Sequence, residues 1–476
     1  MSSPNAGVLA RQGTVALGLG GLAAAAGLAV TVLGPVALLL APLAVALYFM
    51  LTRPAVALTA LFVVTVLLEE DEEGFLPVTS RFYEPIVAVA SPTDLLLGVV
   101  LVAYVLDLGR RGESPRLPGS FTLPLLLLGG AVVAGVVTGY ANDGDGYGIA
   151  LAVRTLAYVF VVPLVVVHVL RTRASLAAFA IGALVLGIYK GLEGTIAWLA
   201  GAGHPLDDTT LTYFPPTANL VLLVFLLGLA AAVGERLTVS RWIWAAAPFA
   251  AVALVFSYRR SFWIAALLGL AVVVLLGRHR HRFLPIVAVL GIALWASVAL
   301  AGGSEAESLI VERARELDLS RVASNPSDRY RLGEVRNVVR EIRQSPVTGI
   351  GLGVPWTVEY SFEYKPGARN YTHVAVLWYW LKLGLVGLAA YLWLMATALR
   401  VAFRVSQTAR DRLLRVAGTT VFATFVGIAL IEATATFTGA NLRFTVMVAA
   451  LVGWLAAAEL LLRRVREEQG LRPGSG

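Results

Sequence analysis

The residues of this chain that could do chemistry are few, and most stand at the ends of oily runs. His373, one of only five histidines, opens the stretch "RNYTHVAVLWYWLKLGLVGL" (369–388). Arg259 and Arg260 sit in "FSYRRSF", a short connection between two apolar runs. Arg331 lies in "SDRYRLGEVRNVVREIRQSPVTGIGLG", and Arg154 lies inside the apolar run "LAVRTLAYVFVV". An imidazole near its neutral form can take a proton from a hydroxyl. Guanidinium groups stay charged and hold phosphate oxygens two at a time. Together they suit displacement of a pyrophosphate leaving group, with arginines neutralising the charge that a divalent ion neutralises elsewhere. Each residue also has a plainer reading. The histidine is then an interfacial hydrogen-bonder, the arginine pair snorkels into headgroups, and Arg154 is simply paired, as charges within spans usually are. The run "EEDEE" (69–73) reads as a solvated loop, or as a metal or base carboxylate. No metal cluster is expected from the pattern, and no cofactor.

The elements that position these residues are membrane helices. The chain has 476 residues, 58% hydrophobic and 14% charged, against about 25% charged in a globular domain. Apolar runs long enough to cross a bilayer recur from Thr14 to Leu462, about fourteen in all, among them 14–33, 35–52, 54–68 and 283–302. The fold class expected is an all-α polytopic membrane protein of about 12–14 transmembrane helices, the first (14–33) retained rather than cleaved. There is no cysteine, so thiol chemistry is excluded. The net charge of +8 is distributed over alternate loops ("GRRGESPR", "RTR", "GRHRHR", "RVSQTARDRLLR", "RRVREE"). That pattern places those loops and both termini in the cytoplasm and argues against nucleic acid as a partner. His373 and the segment 303–372 then lie on the outer side. Three regions follow: an N-terminal bundle over 1–302, an extracytoplasmic helical loop over 303–372, and C-terminal helices with a cytoplasmic tail over 373–476.

The outer segment carries ten acidic and ten basic residues, so it is no polybasic lipid tether. Ser327 or Asp328 can cap a helix within it, and Pro346 follows its end. Leu332, Val335, Val339 and Ile342 make one apolar stripe, expected to face the bilayer or the mouth of the bundle. Arg329, Arg336, Arg340 and Arg343 flank one edge, and Arg331 stands at the other. "GIGLG" (349–353) resembles a phosphate-binding turn only weakly; a tight turn back to the membrane fits better, although its N–H groups could face an anion. Lys190 and Glu193, three residues apart, can neutralise each other on one helix face.

Three of these stretches resemble, in order, signatures of the O-antigen ligase and polymerase superfamily. "SYRRSFWIAALLGLAVVVLL" is similar to its "SRGAWLALLLGL" helix start, with Arg260 on the motif arginine. "RYRLGEVRNVVREIRQSPVTGIGLG" resembles "R-x-x-x-W…P-x-x-G-x-G", with Arg331 on the arginine. "HVAVLWYWLKLGLVGL" resembles "HN-x-x-L…E-x-G-l-x-G", with His373 on the histidine. Val374, Lys382 and Val335 depart from the family's asparagine, glutamate and tryptophan. The resemblance spans about Pro216 to Leu394. It implies a glycosyltransferase-C-like fold in a bacterial cytoplasmic membrane. It also implies inverting, metal-independent transfer of a glycan from an undecaprenyl-pyrophosphate donor to a lipid or glycan acceptor hydroxyl. By that carry-over His373 is the base or the acceptor-orienting residue, and Arg260 and Arg331, with Arg259 and Arg154 beside them, hold pyrophosphate. A ligase-type enzyme is expected, with a polymerase of the same superfamily as one alternative. A transporter or flippase is the other, disfavoured because no internal repeat is visible and the charges gather near the outer face.

Overall fold

A computed structural model describes residues 37–68, 77–201, 204–205, 211–212, 215–277, 326–358 and 368–468. The helices are α1 (Ala37–Thr52), α2 (Pro54–Leu67), α3 (Pro92–Arg111), α4 (Gly119–Ala141), α5 (Gly146–Val169), α6 (Arg173–Leu199), α7 (Pro216–Gly234), α8 (Arg241–Val255), α9 (Arg260–Leu276), α10 (Pro326–Gln344), α11 (Ala375–Thr408), α12 (Arg412–Glu432) and α13 (Leu442–Glu468). A two-residue antiparallel pairing, His204–Pro205 with Leu211–Thr212, is the only strand structure among the described residues. The protein is all-α and crosses a membrane many times.

Among the described residues eight helices (α3 to α7 and α11 to α13) are long and apolar enough to span, and α8 and α9 are shorter apolar helices. The two expected spans at 35–52 and 54–68 do not run as independent crossings. α1 and α2 meet at a bend of 117° at Arg53 and Pro54 and amount to one broken span at most. Proline at the first position of α2 has no N–H to continue α1's ladder, so the chain turns there. The expected spans at 14–33 and 283–302 lie outside the described residues, as does the carboxylate run 69–73.

Large apolar side chains on α3, α4 and α6, among them Val105, Leu126, Val133, Val137 and Val185, point outward. That is expected where the surroundings are hydrocarbon. Inside, α13 lies along α5, α11 between α4 and α12, and α9 along α12. Helix ends are closed locally. Asp94 and Ser91 cap α3 reciprocally, with Ser91 N–H donating to Asp94 at 2.7 Å, and Asp411 accepts from Leu414 N–H at 2.9 Å to start α12. Two charges inside the bundle pair with each other: Lys190 Nζ lies 2.5 Å from Glu193, three residues on along α6, both buried.

Two groups of contacts define the ends of the bundle. At one, the C-terminal ends of α3 and α5, the start of α6 and the turn between α11 and α12 carry the basic loops. There His168 meets Asp107 at 2.7 Å, Arg171 meets Glu113 at 2.7 Å, and Arg415 meets Glu235 at 2.8 Å. The other end gathers the starts of α5, α9, α11 and α13, the end of α12, and α10.

Candidate functional site

The segment after α10 determines where His373 stands. α11 is a single span broken at Gly384, whose φ of 69° is available to glycine without a Cβ clash. The chain after α10 fits into this break. Leu385 N–H donates to Val347 O at 3.0 Å, and Ile350 N–H donates to Leu381 O at 2.7 Å. Gly349, Gly351 and Gly353 also take positive φ, which lets the turn lie against the α4–α5 hairpin, where Leu352 N–H donates to Gly135 O at 2.9 Å. With the N–H groups of Gly349, Ile350 and Leu352 bonded to protein carbonyls, "GIGLG" is a docking turn. The phosphate reading is not supported. The Lys382 ammonium, buried below the turn, donates to Val354 O. Beyond it Trp356, fully buried, donates from its backbone to Arg369 O at 3.1 Å and from its indole to Tyr371 O at 3.0 Å. The main chain entering His373 is therefore held from below.

His373 lies just before the first turn of α11. Its Nδ1 is 2.8 Å from Glu334 Oε2, and its backbone N–H donates to Glu334 Oε1 at 2.5 Å. Glu334 comes from α10 and is 1% exposed, whereas the His373 side chain is 29% exposed. Two tyrosines present their rings edge-on to the imidazole: Tyr371 at 5.1 Å between centroids and Tyr330 at 5.7 Å. Among the described residues Nε2 has no hydrogen-bond partner.

Tyr371 links this histidine to the start of α9. Its hydroxyl accepts from Thr436 N–H at 3.0 Å. Burial pushes its phenol far above the ordinary range. Glu432 and Glu334 reinforce that shift, while the Thr436 N–H and the positive charge of Arg259 oppose it. The Arg259 guanidinium also sits 5.5 Å from the centre of the Phe437 ring, next to Thr436. Burial likewise raises Tyr258, one residue earlier, to about 12. The loop between α12 and α13 thus brings Arg259 and His373 to one place. Arg260, half-buried, is the first residue of α9.

The face of α10 differs from the expected stripe. Leu332 is exposed and Val335 and Val339 are half-exposed; Glu334, Asn337, Val338, Glu341 and Ile342 are buried. The helix starts at Pro326, and it docks on the mouth of the bundle through a partly polar face. That surface meets His373 and the segment 354–358 rather than lipid. Glu341 accepts from the Thr357 hydroxyl, and Arg340 donates to Thr357 as well. Arg331 stands about 60° around the helix from Glu334, at 100° per residue, on the docked side and half-buried. Arg329, Arg336 and Arg343 are exposed on the far side.

Arg154 belongs to a different group. Its Nε is 2.7 Å from Asp94, its terminal nitrogen donates to Ser91 at 2.7 Å, and Tyr158 donates to the same Asp94 at 2.9 Å. It knits α5 to the start of α3. Of the arginines singled out in the sequence, the structure places Arg259 and Arg331 beside the elements that hold His373 and gives Arg154 a carboxylate partner of its own. Among the described residues no three His, Asp or Glu side chains stand together as a metal-holding group.

Glu334 and Tyr371 were not anticipated. Glu334 could have been found: Glu334, Asn337 and Glu341 recur at helical spacing among Val338 and Ile342, a polar stripe where a lipid-facing helix would have none. Tyr371 had no such signal.

Residues 245–392 match the family model described as O-antigen ligase. The match runs from α8 through the first half of α11 and contains Arg259, Arg260, Arg331, Glu334 and His373. No curated protein matches the chain.

Proposed function

We propose that this multi-pass membrane protein, whose residues 245–392 carry the domain of the O-antigen ligase superfamily, is a ligase-type glycosyltransferase. It would take a glycan from undecaprenyl pyrophosphate and join it to an acceptor hydroxyl at the outer face of a bacterial cytoplasmic membrane. The carrying observation is the position of His373. It is a partly exposed imidazole, anchored through one nitrogen among the described residues, in the polar cluster that Arg259, just before α9, approaches through Phe437. The positive-inside rule supports the side. The opposite end of the bundle bears the arginine-rich loops, which puts His373 on the outer face in this reading.

In this reading the acceptor hydroxyl approaches from water while the donor's lipid stays in the bilayer. The Nε2 of His373 takes the hydroxyl proton as the oxygen attacks the anomeric carbon from the face opposite the leaving group. The bond from that carbon to the pyrophosphate oxygen breaks with both electrons, and the configuration inverts. Arg259, Arg260 and Arg331 meet the negative charge that develops on the pyrophosphate. Arg154 supports the wall of the site through Asp94. Metal independence belongs to the same proposal, because fixed guanidinium groups supply the cationic charge.

The test uses purified protein in nanodiscs with a defined undecaprenyl-pyrophosphate oligosaccharide and EDTA, with and without a membrane extract as acceptor source, the products read by mass spectrometry. Transfer only with extract, at a rate insensitive to EDTA, is expected, and the mass of the product identifies the acceptor. A ladder of longer lipid-linked glycans without extract would make the protein a polymerase. Absence of any transfer under both conditions would remove the glycosyltransferase reading.

A further inference from the structure

Glu334 has a placement that the transfer reaction alone does not call for. A carboxylate that is 1% exposed is expensive to keep ionised unless it is fully engaged. Both of its oxygens are given to one residue: Oε1 to the backbone N–H of His373 at 2.5 Å, and Oε2 to the ring Nδ1 at 2.8 Å. The two contacts close a ring through side chain and main chain, which fixes imidazole rotation as well as position. Its own helix is held independently. Val338 and Ile342 pack with Ile350, Trp356 and Leu381, and Glu341 fastens α10 to Thr357.

We propose that Glu334 is the positioning residue of the site: it holds His373 in the tautomer with the proton on Nδ1 and aims Nε2 at the acceptor hydroxyl. An ionised carboxylate can only accept, so the imidazole nitrogen facing it carries the hydrogen and the other nitrogen keeps its lone pair. When Nε2 takes the acceptor's proton, the imidazolium lies against a negative charge already in place. Because Arg331 sits on the same docked side of α10, one helix delivers both a pyrophosphate contact and the group that orients the base. Movement of α10 therefore changes both together.

This inference rests on the reading of His373 as the base, and the experiment separates the two. Glu334→Gln, Glu334→Asp and His373→Ala are compared in nanodiscs, with transfer kinetics and histidine 15N NMR, the His373 signals assigned by their loss in H373A. In the unaltered protein the Nδ1–H tautomer is expected. E334Q should lower kcat by about 100-fold with little change in the donor KM, since Glu334 does not touch the donor, and should change the tautomer signature. E334D should recover part of the rate. Turnover of E334Q near the unaltered rate, or an Nε2–H tautomer in the unaltered protein, overturns the positioning role. The second result stands even if every Glu334 variant fails to fold. If instead H373A itself transfers at near the unaltered rate, the base assignment falls first, whatever Glu334 does.

Discussion

Among the described residues two histidines meet buried carboxylates, one at each end of the bundle, and they differ in what surrounds the second ring nitrogen. His168, at the end of α5, places Nε2 at 2.7 Å from Asp107 and Nδ1 at 2.5 Å from Arg171, with its side chain 6% exposed. Both nitrogens are spoken for, and the ring is a rivet between α3 and α5. His373 has the same kind of carboxylate partner at 2.8 Å, but only on Nδ1, and its side chain is 29% exposed. A histidine saturated by protein holds structure. A histidine held by one nitrogen and open at the other can exchange a proton with something that arrives. The same contrast separates the two ends as a whole. The basic-loop end is cross-tied by Arg415 to Glu235, Arg173 to Asp411 and Arg404 to Glu459, and the His373 end converges on a side chain with one ring nitrogen left open.

The comparison breaks most directly by exchanging the consequences of the two histidines. His373→Ala is expected to reduce transfer per folded molecule by about 10²- to 10⁴-fold, the usual contribution of a general base, an effect on turnover far larger than the modest fall in unfolding temperature that leaving Glu334 Oε2 without its ring partner brings. His168→Ala should do the reverse, lowering unfolding temperature with turnover per folded molecule preserved. Equal loss of turnover in both would erase the distinction. Next in size, Arg415→Ala removes the ion pair from buried Arg415 to half-buried Glu235 at 2.8 Å and the bonds to Ala409 O and Arg410 O at 2.9 and 3.0 Å. A cost of about 3–5 kcal/mol is expected for breaking such a buried pair, measurable as a shifted unfolding midpoint. Within the membrane, Lys190→Met alone should destabilise strongly. Adding Glu193→Leu should restore much of the loss, because replacing a buried pair by apolar groups is far cheaper than stranding one charge. Failure of the double variant to recover would mean that the pair does more than neutralise itself. Smallest of all, Arg336→Ala and Arg343→Ala on the exposed side of α10 should leave turnover within about twofold, in keeping with the small effects of exposed charges. Arg331→Ala on the docked side should cost transfer about 100-fold, a loss typical of removing one stabiliser of developing charge.

Much of the site was readable from residue type and position. The membrane spans, the side of the bundle that carries arginine and the candidacy of His373, Arg260 and Arg331 all rest on local properties. Hydrophobic length, loop charge and short motifs survive in a linear sequence. The polar stripe of α10 was misread because its apolar residues were counted and its buried carboxylate was not. A stripe rule assumes a lipid or core partner, and this helix packs on polar main chain and on His373. Arg154 looked like the other arginines because sequence shows the charge and not the neighbour. Asp94, which takes that charge, lies sixty residues away in the chain as well as inside a legible capping box.

By itself the sequence determined that this chain lives in a membrane as a bundle of helices, which of its ends is basic, and which few side chains have the right chemistry at the other. Those follow from the cost of placing polar groups in hydrocarbon, a penalty paid residue by residue and so written locally. Only the tertiary structure decided which imidazole nitrogen is held and by what. It also decided that "GIGLG" docks into the break at Gly384 instead of cradling phosphate, and that Arg259 lies over Phe437, beside the Thr436 that Tyr371 contacts, while Arg154 is held by Asp94. These depend on contacts between residues far apart in sequence, where direction and distance determine whether a charge is paired, and no local pattern encodes either.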